Sequence, residues 1–218
     1  LTGYAFIFSY IAAFGGTKAA ANYVAGTLSD RIGRKPVLLI GWLFAIPVPL
    51  LIIWAPDWGW IVLANVFLGI NQGLAWSTTV TMKVDLIGPK QRGLAMGFNE
   101  AAGYGAVAVT SLIAGLLAEH YGLRPAPFLL GVFYTALALV LVLFFVRETR
   151  GFAALEAKAT GSEMSELSSR EVFALTTWRD PALSSASQAG LVNNLNFGLS
   201  WGVFPLLFAS KGLNATQI

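Results

Sequence analysis

Asp30, Arg31, Arg34 and Lys35 crowd into the stretch GTLSDRIGRKPVLL, residues 26–39, between two long apolar runs. Charge gathered at a bend can anchor a loop, set topology, or form a latch between helices that engages in one conformational state and releases in another. Asp30 falls at the C-terminal end of the preceding run, where a helix macrodipole disfavours a carboxylate. Arg31, Arg34, Lys35 or the positive end of a neighbouring helix must therefore compensate it. Gly26, one turn earlier, removes a side chain and permits another helix to approach. Gly33 permits a left-handed turn, and Pro36 suits the start of the next helix. Two further bends carry complementary charge: KVDLIGPKQRG holds Asp85 and Arg92, and RETRG holds Glu148. Asp85 and Glu148 are expected to pair with the basic residues of the first bend. Exposed ion pairs contribute little singly, but a network formed in only one state biases a two-state equilibrium.

Other polar groups lie inside the apolar runs. Lys18 sits roughly 15 Å in from the nearer end of its run and shares a helical face with Asn22 and Gly26. Glu100 lies roughly 12 Å in, followed on its face by Tyr104, Ala108 and Ser111. Ionisable groups in such runs mark substrate or proton pathways: Lys18 suits an anionic solute, and Glu100 suits uptake and release of a proton. The plainer alternatives are a snorkelling lysine and a neutral, hydrogen-bonded glutamic acid. Asn65, Gly69, Gln72, Trp76 and Thr79 form one stripe, fit for hydrogen bonding and stacking on a small solute or for gluing helices together. Asn193, Asn196 and Ser200 share a face, with Asn194 and Trp201 beside it, and cavity lining explains three asparagines in hydrocarbon better than lipid contact.

The elements that position these groups follow from composition. The 218 residues are 56% hydrophobic and 11% charged, against about a quarter charged in a soluble domain. The apolar residues fall in runs near 20 long, the length that crosses about 30 Å of hydrocarbon. The expected fold is an all-α polytopic membrane bundle with spans at 4–28, 37–55, 59–82, 93–118, 126–146 and 183–210. Turn residues separate them, and Asp180-Pro181 reads as a capped helix start. One set of loops holds eleven of the 14 basic residues and the opposite set only Arg124 and Lys211, with Lys18 inside a span. Segments 29–36, 83–92 and 147–182 are therefore expected in the cytoplasm. Within the last of these, ATGSEMSELSS is expected to be mobile. Ser168 and Glu171 have capping-box spacing, and Val172, Phe173, Leu175 and Trp178 suit a short helix on the membrane surface or a plain linker helix. With no cysteine and His120 as the one histidine, thiolate metal sites and disulfides are excluded. Nothing has the pattern of a nucleophile–base pair or a phosphate loop, so no enzyme activity, cofactor or nucleic-acid partner is expected. The chain begins at Leu1 and ends at Ile218, each beside an apolar run, and reads as a fragment cut at both ends.

The stretch Gly26 to Lys35 resembles the signature loop between the second and third helices of the major facilitator superfamily (MFS), matching at Gly26, Asp30, Arg31, Gly33, Arg34 and Lys35. Asp85 and Arg92 are similar to the acid and Arg-Gly flanking that family's loop between helices 4 and 5. The resemblance implies that the spans are family helices 2 to 7. Residues 1–146 would be the N-terminal half without helix 1, 147–182 the interdomain loop, and 183–218 the start of the C-terminal half. It implies a gating latch in which Asp30 faces a helix of the second half. It further implies secondary active transport of a small solute by alternating access, by a monomer in the bacterial inner membrane. The whole chain reads most like proton-linked efflux permeases. The alternatives are uptake of a polar or anionic metabolite and a non-transporting receptor or assembly subunit. Two family features are missing: the helix-4 arginine, where Asn65 precedes Gly69, and the Gly-Pro pair of helix 5.

Overall fold

The computed structural model describes residues 3, 6, 8–159 and 167–213. They form an all-helical chain in two compact units, Leu1–Ala159 and Thr160–Asn214. In the first unit, α1 (Ser9–Ile32) turns at Gly33 into α2 (Arg34–Ala45), and α3 (Pro47–Ile53) continues it after Ile46. Pro47 and Pro49 each remove a backbone donor, which accounts for that interruption. Helix α4 (Trp58–Leu86) starts at Asp57, whose carboxylate accepts the Gly59 N–H at 2.7 Å. Helices α5 (Gly88–Tyr121), α6 (Ala126–Phe144) and α7 (Arg150–Ala159) follow.

The helices outrun the apolar segments. Asp30 and Arg31 belong to the last turn of α1, not to a loop, and α2 begins at Arg34, two residues before Pro36. The expected loop 83–92 shrinks to Ile87 alone: Lys83 lies in the last turn of α4, and Lys90 and Arg92 lie in the first turns of α5. Hydropathy marks where hydrocarbon ends, whereas backbone hydrogen bonds continue into the polar zone beyond it. Among the described residues, four helical stretches are long and apolar enough to cross a membrane: Arg34–Ile53, Trp58–Leu86, Gly88–Tyr121 and Ala126–Phe144. Helices α1 and α9 (Pro181–Ser210) were expected to join them. Their polar residues, Lys18 and Asn22 in one and three asparagines in the other, dilute the apolar run.

Large apolar side chains such as Leu94, Phe98, Leu112 and Phe144 are exposed, the reverse of a water-soluble core and the expected surface for a lipid solvent. Inside, small residues set the packing. A Cβ on Gly69 would lie 2.6 Å from the Phe14 carbonyl oxygen, and one on Gly73 2.9 Å from that of Lys18. Helices α1 and α4 therefore touch backbone to backbone. Gly41 rests on Ala75 in the same way, and the buried Asn71 donates from Nδ2 to the Gly41 carbonyl at 2.9 Å. Ala21, Ala25, Val37 and Leu74 fill the space among α1, α2 and α4, while Leu38, Ala75, Met82 and Val142 join α2, α4 and α6.

The second unit opens with α8 (Ser169–Ala174), which passes through a π-helical turn (Leu175–Arg179) into α9. Both helix starts follow the sequence. Ser168 and Glu171 form a reciprocal capping box, and Asp180 accepts the Leu183 N–H at 2.8 Å ahead of Pro181. Phe173 and Trp178 meet edge to face at 5.4 Å, and both are exposed. Most of ATGSEMSELSS lies outside the described residues.

Candidate functional site: an arginine-centred junction of helix ends

Arg34, the first residue of α2, projects its guanidinium among three helix ends. Its Nη1 donates to Asp30 Oδ1 at 2.5 Å and its Nε to Asp85 Oδ2 at 3.1 Å. Nη1 also lies 3.3 Å from Ser29 Oγ, and Thr149 Oγ1 donates to the same Asp85 oxygen at 2.9 Å. The side chains of Arg34 and Asp85 are 7% and 6% exposed, whereas that of Asp30 is 70% exposed. The cluster thus combines a desolvated cation–anion pair with a second carboxylate open to whatever approaches. The unfavourable dipole position of Asp30 is offset one turn on by Arg34.

Glu148 engages the bend through its backbone. One oxygen accepts the N–H groups of Arg34, Thr149 and Arg150, each at 2.9 Å, and the other accepts that of Lys35 at 3.0 Å. These are first-turn donors of α2 and α7, so one carboxylate caps two helix N-termini. Gly33 makes room for it: its φ is +104°, and a Cβ there would lie 2.5 Å from Glu148 Oε2. Arg150 caps the other polarity, donating from Nη1 to the carbonyls of Asp30 and Arg31 at the end of α1, at 3.2 and 2.8 Å. Lys35 Nζ does the same for α6 at the Leu143 carbonyl, 2.9 Å away. The Arg31 residue itself is exposed.

Burial pushes the Glu148 carboxyl up, but the backbone donors of Arg150, Arg34, Lys35 and Thr149 outweigh it and hold it below the usual carboxylate range. A depressed value means stability that is present above the ordinary glutamate value, about 4.3, and lost as pH falls through the lower folded value. Glu148→Gln is expected to lower the melting temperature at pH 7 and to flatten its acid dependence below about pH 5. Tryptophan fluorescence melts across pH check both.

The remaining residues singled out in the sequence lie elsewhere. Arg92 pairs with Glu156 of α7 at 2.6 Å, and its Nε is buried without a partner. Helix α7 was not expected, so neither was that pair. Within this chain nothing lies within 4 Å of a Cβ on Gly26; the close approaches occur at Gly69 and Gly73 instead. Lys18 is half-buried with Nζ 5.5 Å from the Phe14 ring centroid, and Asn22 accepts from Ser77 Oγ at 2.6 Å. Asn65 donates to the Ile61 carbonyl of its own helix at 2.9 Å, Gly69 faces α1, and Gln72 is half-buried. The stripe on α4 is thus divided among neighbours, and the Trp76 ring lies against Gly103 of α5. Glu100 and Tyr104 are exposed on α5. Glu100 accepts from Asn99 Nδ2 at 3.1 Å, and the buried Asn99 in turn accepts from Lys83 Nζ. In α9, Asn193 and Asn196 are exposed, and Ser200 donates to the Asn196 carbonyl at 3.0 Å.

Sequence reasoning missed Ser29, Thr149, Arg150 and Asn99. The first three depend on helix ends meeting in space. Asn99 was hidden behind the charge of its neighbour Glu100, although a second polar residue beside a glutamate in an apolar run was a usable signal.

Comparison with known proteins identifies the family. The family model described as Major Facilitator Superfamily matches residues 3–217. The chain is 27% identical over 177 residues to the "Probable 4-methylmuconolactone transporter" of Cupriavidus pinatubonensis, covering 79% of this chain and 40% of that protein. It is 33% identical over 132 residues to the "Multidrug resistance protein MdtG" of Salmonella choleraesuis, and equally to that of Salmonella typhi, covering 60% of this chain and 32% of each relative. The chain therefore spans less than half the length of these relatives. The match over nearly its whole length, the all-helical fold and the charged turn between its first two helices make this chain a member of the Major Facilitator Superfamily of membrane transporters.

Proposed function

We propose that the protein to which this chain belongs is a secondary active transporter of a small solute, working by alternating access in the bacterial inner membrane, and that the arginine junction is its cytoplasmic latch. The exposure of Asp30 carries the reading. A carboxylate held by a buried arginine yet largely open to its surroundings suits docking against a helix end of the second half, whose positive dipole would bind it in the outward-open state. Residues 1–146 act as the first half, 147–182 as the cytoplasmic connector and 183–218 as the start of the second half. Segments 29–36 and 83–92 face the cytoplasm with the connector, and the protein works as a monomer.

Proton-linked efflux is the favoured direction, supported by the likeness to a protein named for multidrug resistance and by the exposure of Glu100 on α5. Lys18, Asn22, Asn65, Gln72, Trp76, Tyr104, Asn193, Asn196 and Ser200 are the residues proposed to line the solute path, Trp76 by stacking and the amides by hydrogen bonding. A second reading, uptake of a polar or anionic metabolite, is favoured by the half-buried ammonium of Lys18 and by the likeness to a protein named for a lactone.

Efflux of a fluorescent cationic drug and uptake of 4-methylmuconolactone, measured with full-length protein in proteoliposomes under an imposed pH gradient, separate the two readings. Glu100→Gln is expected to abolish gradient-driven flux while sparing solute exchange at equal pH. Equal gradient dependence in wild type and variant would remove Glu100 from proton coupling. No flux of either solute class under any gradient would favour a non-transporting receptor on the same fold.

A further inference from the structure

A second feature lies at the same end of the first unit. A cavity of about 610 Å³ opens among α2, α4, α6 and α7, well inside the range of small-molecule pockets. Its walls are apolar, with Leu38, Trp42 and Met82 on one side and Leu141, Phe145 and Phe152 on the other. Two cations stand in its lining, Lys83 and Arg147. The Lys83 ammonium donates to a neutral amide, Asn99 of α5, and has no ion-pair partner among the described residues. The Arg147 guanidinium is exposed and has no ion-pair or hydrogen-bond partner among the described residues. Glu148, the acidic residue of the lining, spends its carboxylate on four backbone N–H groups.

We propose that this cavity is a binding site for an anionic phospholipid of the cytoplasmic leaflet, its phosphate between Arg147 and Lys83 and its acyl chain along the apolar wall of α6. Charge complementarity selects the occupant: two cations against the one carboxylate of Glu148, which is already committed to backbone donors, leave a net positive lining that an anion suits, and the apolar wall needs hydrocarbon on the same molecule. Basic pockets between membrane helices on the cytoplasmic side hold acidic headgroups for this reason. The cavity is open to its surroundings: Leu141 and Phe145 of its wall are exposed, so an acyl chain can enter beside α6. The wall includes Glu148, Thr149 and Phe152, so an occupant would touch the residues that cap α2 and α7 and would reinforce the arginine junction in passing.

Native mass spectrometry of the full-length protein, titrated with phosphatidylglycerol and with phosphatidylcholine of the same chains, tests the site without requiring transport. One phosphatidylglycerol is expected to be retained over phosphatidylcholine. Arg147→Gln is expected to weaken it by about fivefold, the effect of one basic residue near an acidic headgroup. Ala138→Phe, which fills the cavity from α6, should remove the adduct, and Lys90→Gln, an exposed charge outside the lining, should leave it unchanged. Equal retention of the two lipids, or folded Arg147→Gln and Ala138→Phe variants that bind as the wild type does, would overturn the proposal. So would the absence of any lipid adduct on the wild type, since another part of the full-length protein would then cover the cavity.

Discussion

Arg34→Gln is expected to abolish transport and to destabilise the full-length protein by about 3–5 kcal/mol, the usual consequence of stranding a buried charge. Asp85 is the stranded group: its side chain is 6% exposed and loses its ionic partner, keeping only the Thr149 hydroxyl. Two companion variants separate folding from gating. Arg34→Gln combined with Asp85→Asn should recover much of the stability, because no buried ion remains unpaired, without recovering transport. Asp30→Asn should cost at most about 1 kcal/mol, since its carboxylate is mostly solvated, yet it should alter flux strongly. Arg34→Lys should not rescue, because a single ammonium cannot span two carboxylates as the planar guanidinium does. Thermal melts and proteoliposome flux on the four variants check the set; stability and flux falling in proportion throughout would reduce the junction to a structural clamp.

Gly69→Val is expected to have the second large effect. The added atoms would fall on backbone, the Phe14 carbonyl oxygen and the Lys18 nitrogen at 2.6 and 3.0 Å from the first of them, and backbone cannot move aside as a side-chain tip can. Overpacking of this kind costs about 1–3 kcal/mol, and more where nothing can yield. Helices α1 and α4 would separate, shifting Lys18, Asn22 and Trp76 together. Gly26→Ala supplies the contrast: no residue of this chain lies within 4 Å of the added carbon, so it leaves the contact between α1 and α4 intact. A melting temperature that falls much further for Gly69→Val than for Gly26→Ala is the expected result.

These contrasts also mark what could be read from sequence. The charged bend was legible because its chemistry is local: Asp30 and Arg34 are one helical turn apart, and a glycine between them takes the positive φ. That Asp85 would join them was legible from charge complementarity. Glu148 was expected as an ion-pair partner and serves as a double helix cap, a role that exists only once the ends of α2 and α7 meet. Glycine placement was half legible. Small residues announce that helices come close, but which glycine faces a neighbour depends on the rotation of each helix, so the close approach of α1 to Gly69 and Gly73 was not foreseen. Helix α7 escaped notice because it has neither an apolar run nor turn punctuation, and the Arg92–Glu156 pair that depends on it went unforeseen. Over the described residues the six apolar runs are helical, but the second is interrupted at Ile46 and the helix ends were misjudged.

The central claim is that the arginine junction latches the cytoplasmic face through Asp30. Gly26 lies one turn before Asp30 on α1, uncovered in this chain, so a helix docking on Asp30 from the second half would shield it. The most direct measurement is the rate at which a membrane-impermeant maleimide labels Gly26→Cys from the cytoplasmic side, in full-length protein cleared of any other cysteine, with Asp30 intact and with Asp30→Asn. The latch predicts slow labelling with Asp30 intact and labelling at least tenfold faster in Asp30→Asn, a population shift of about 1.4 kcal/mol or more. Equal rates in the two proteins would contradict it and leave Asp30 as a solvated partner of Arg34.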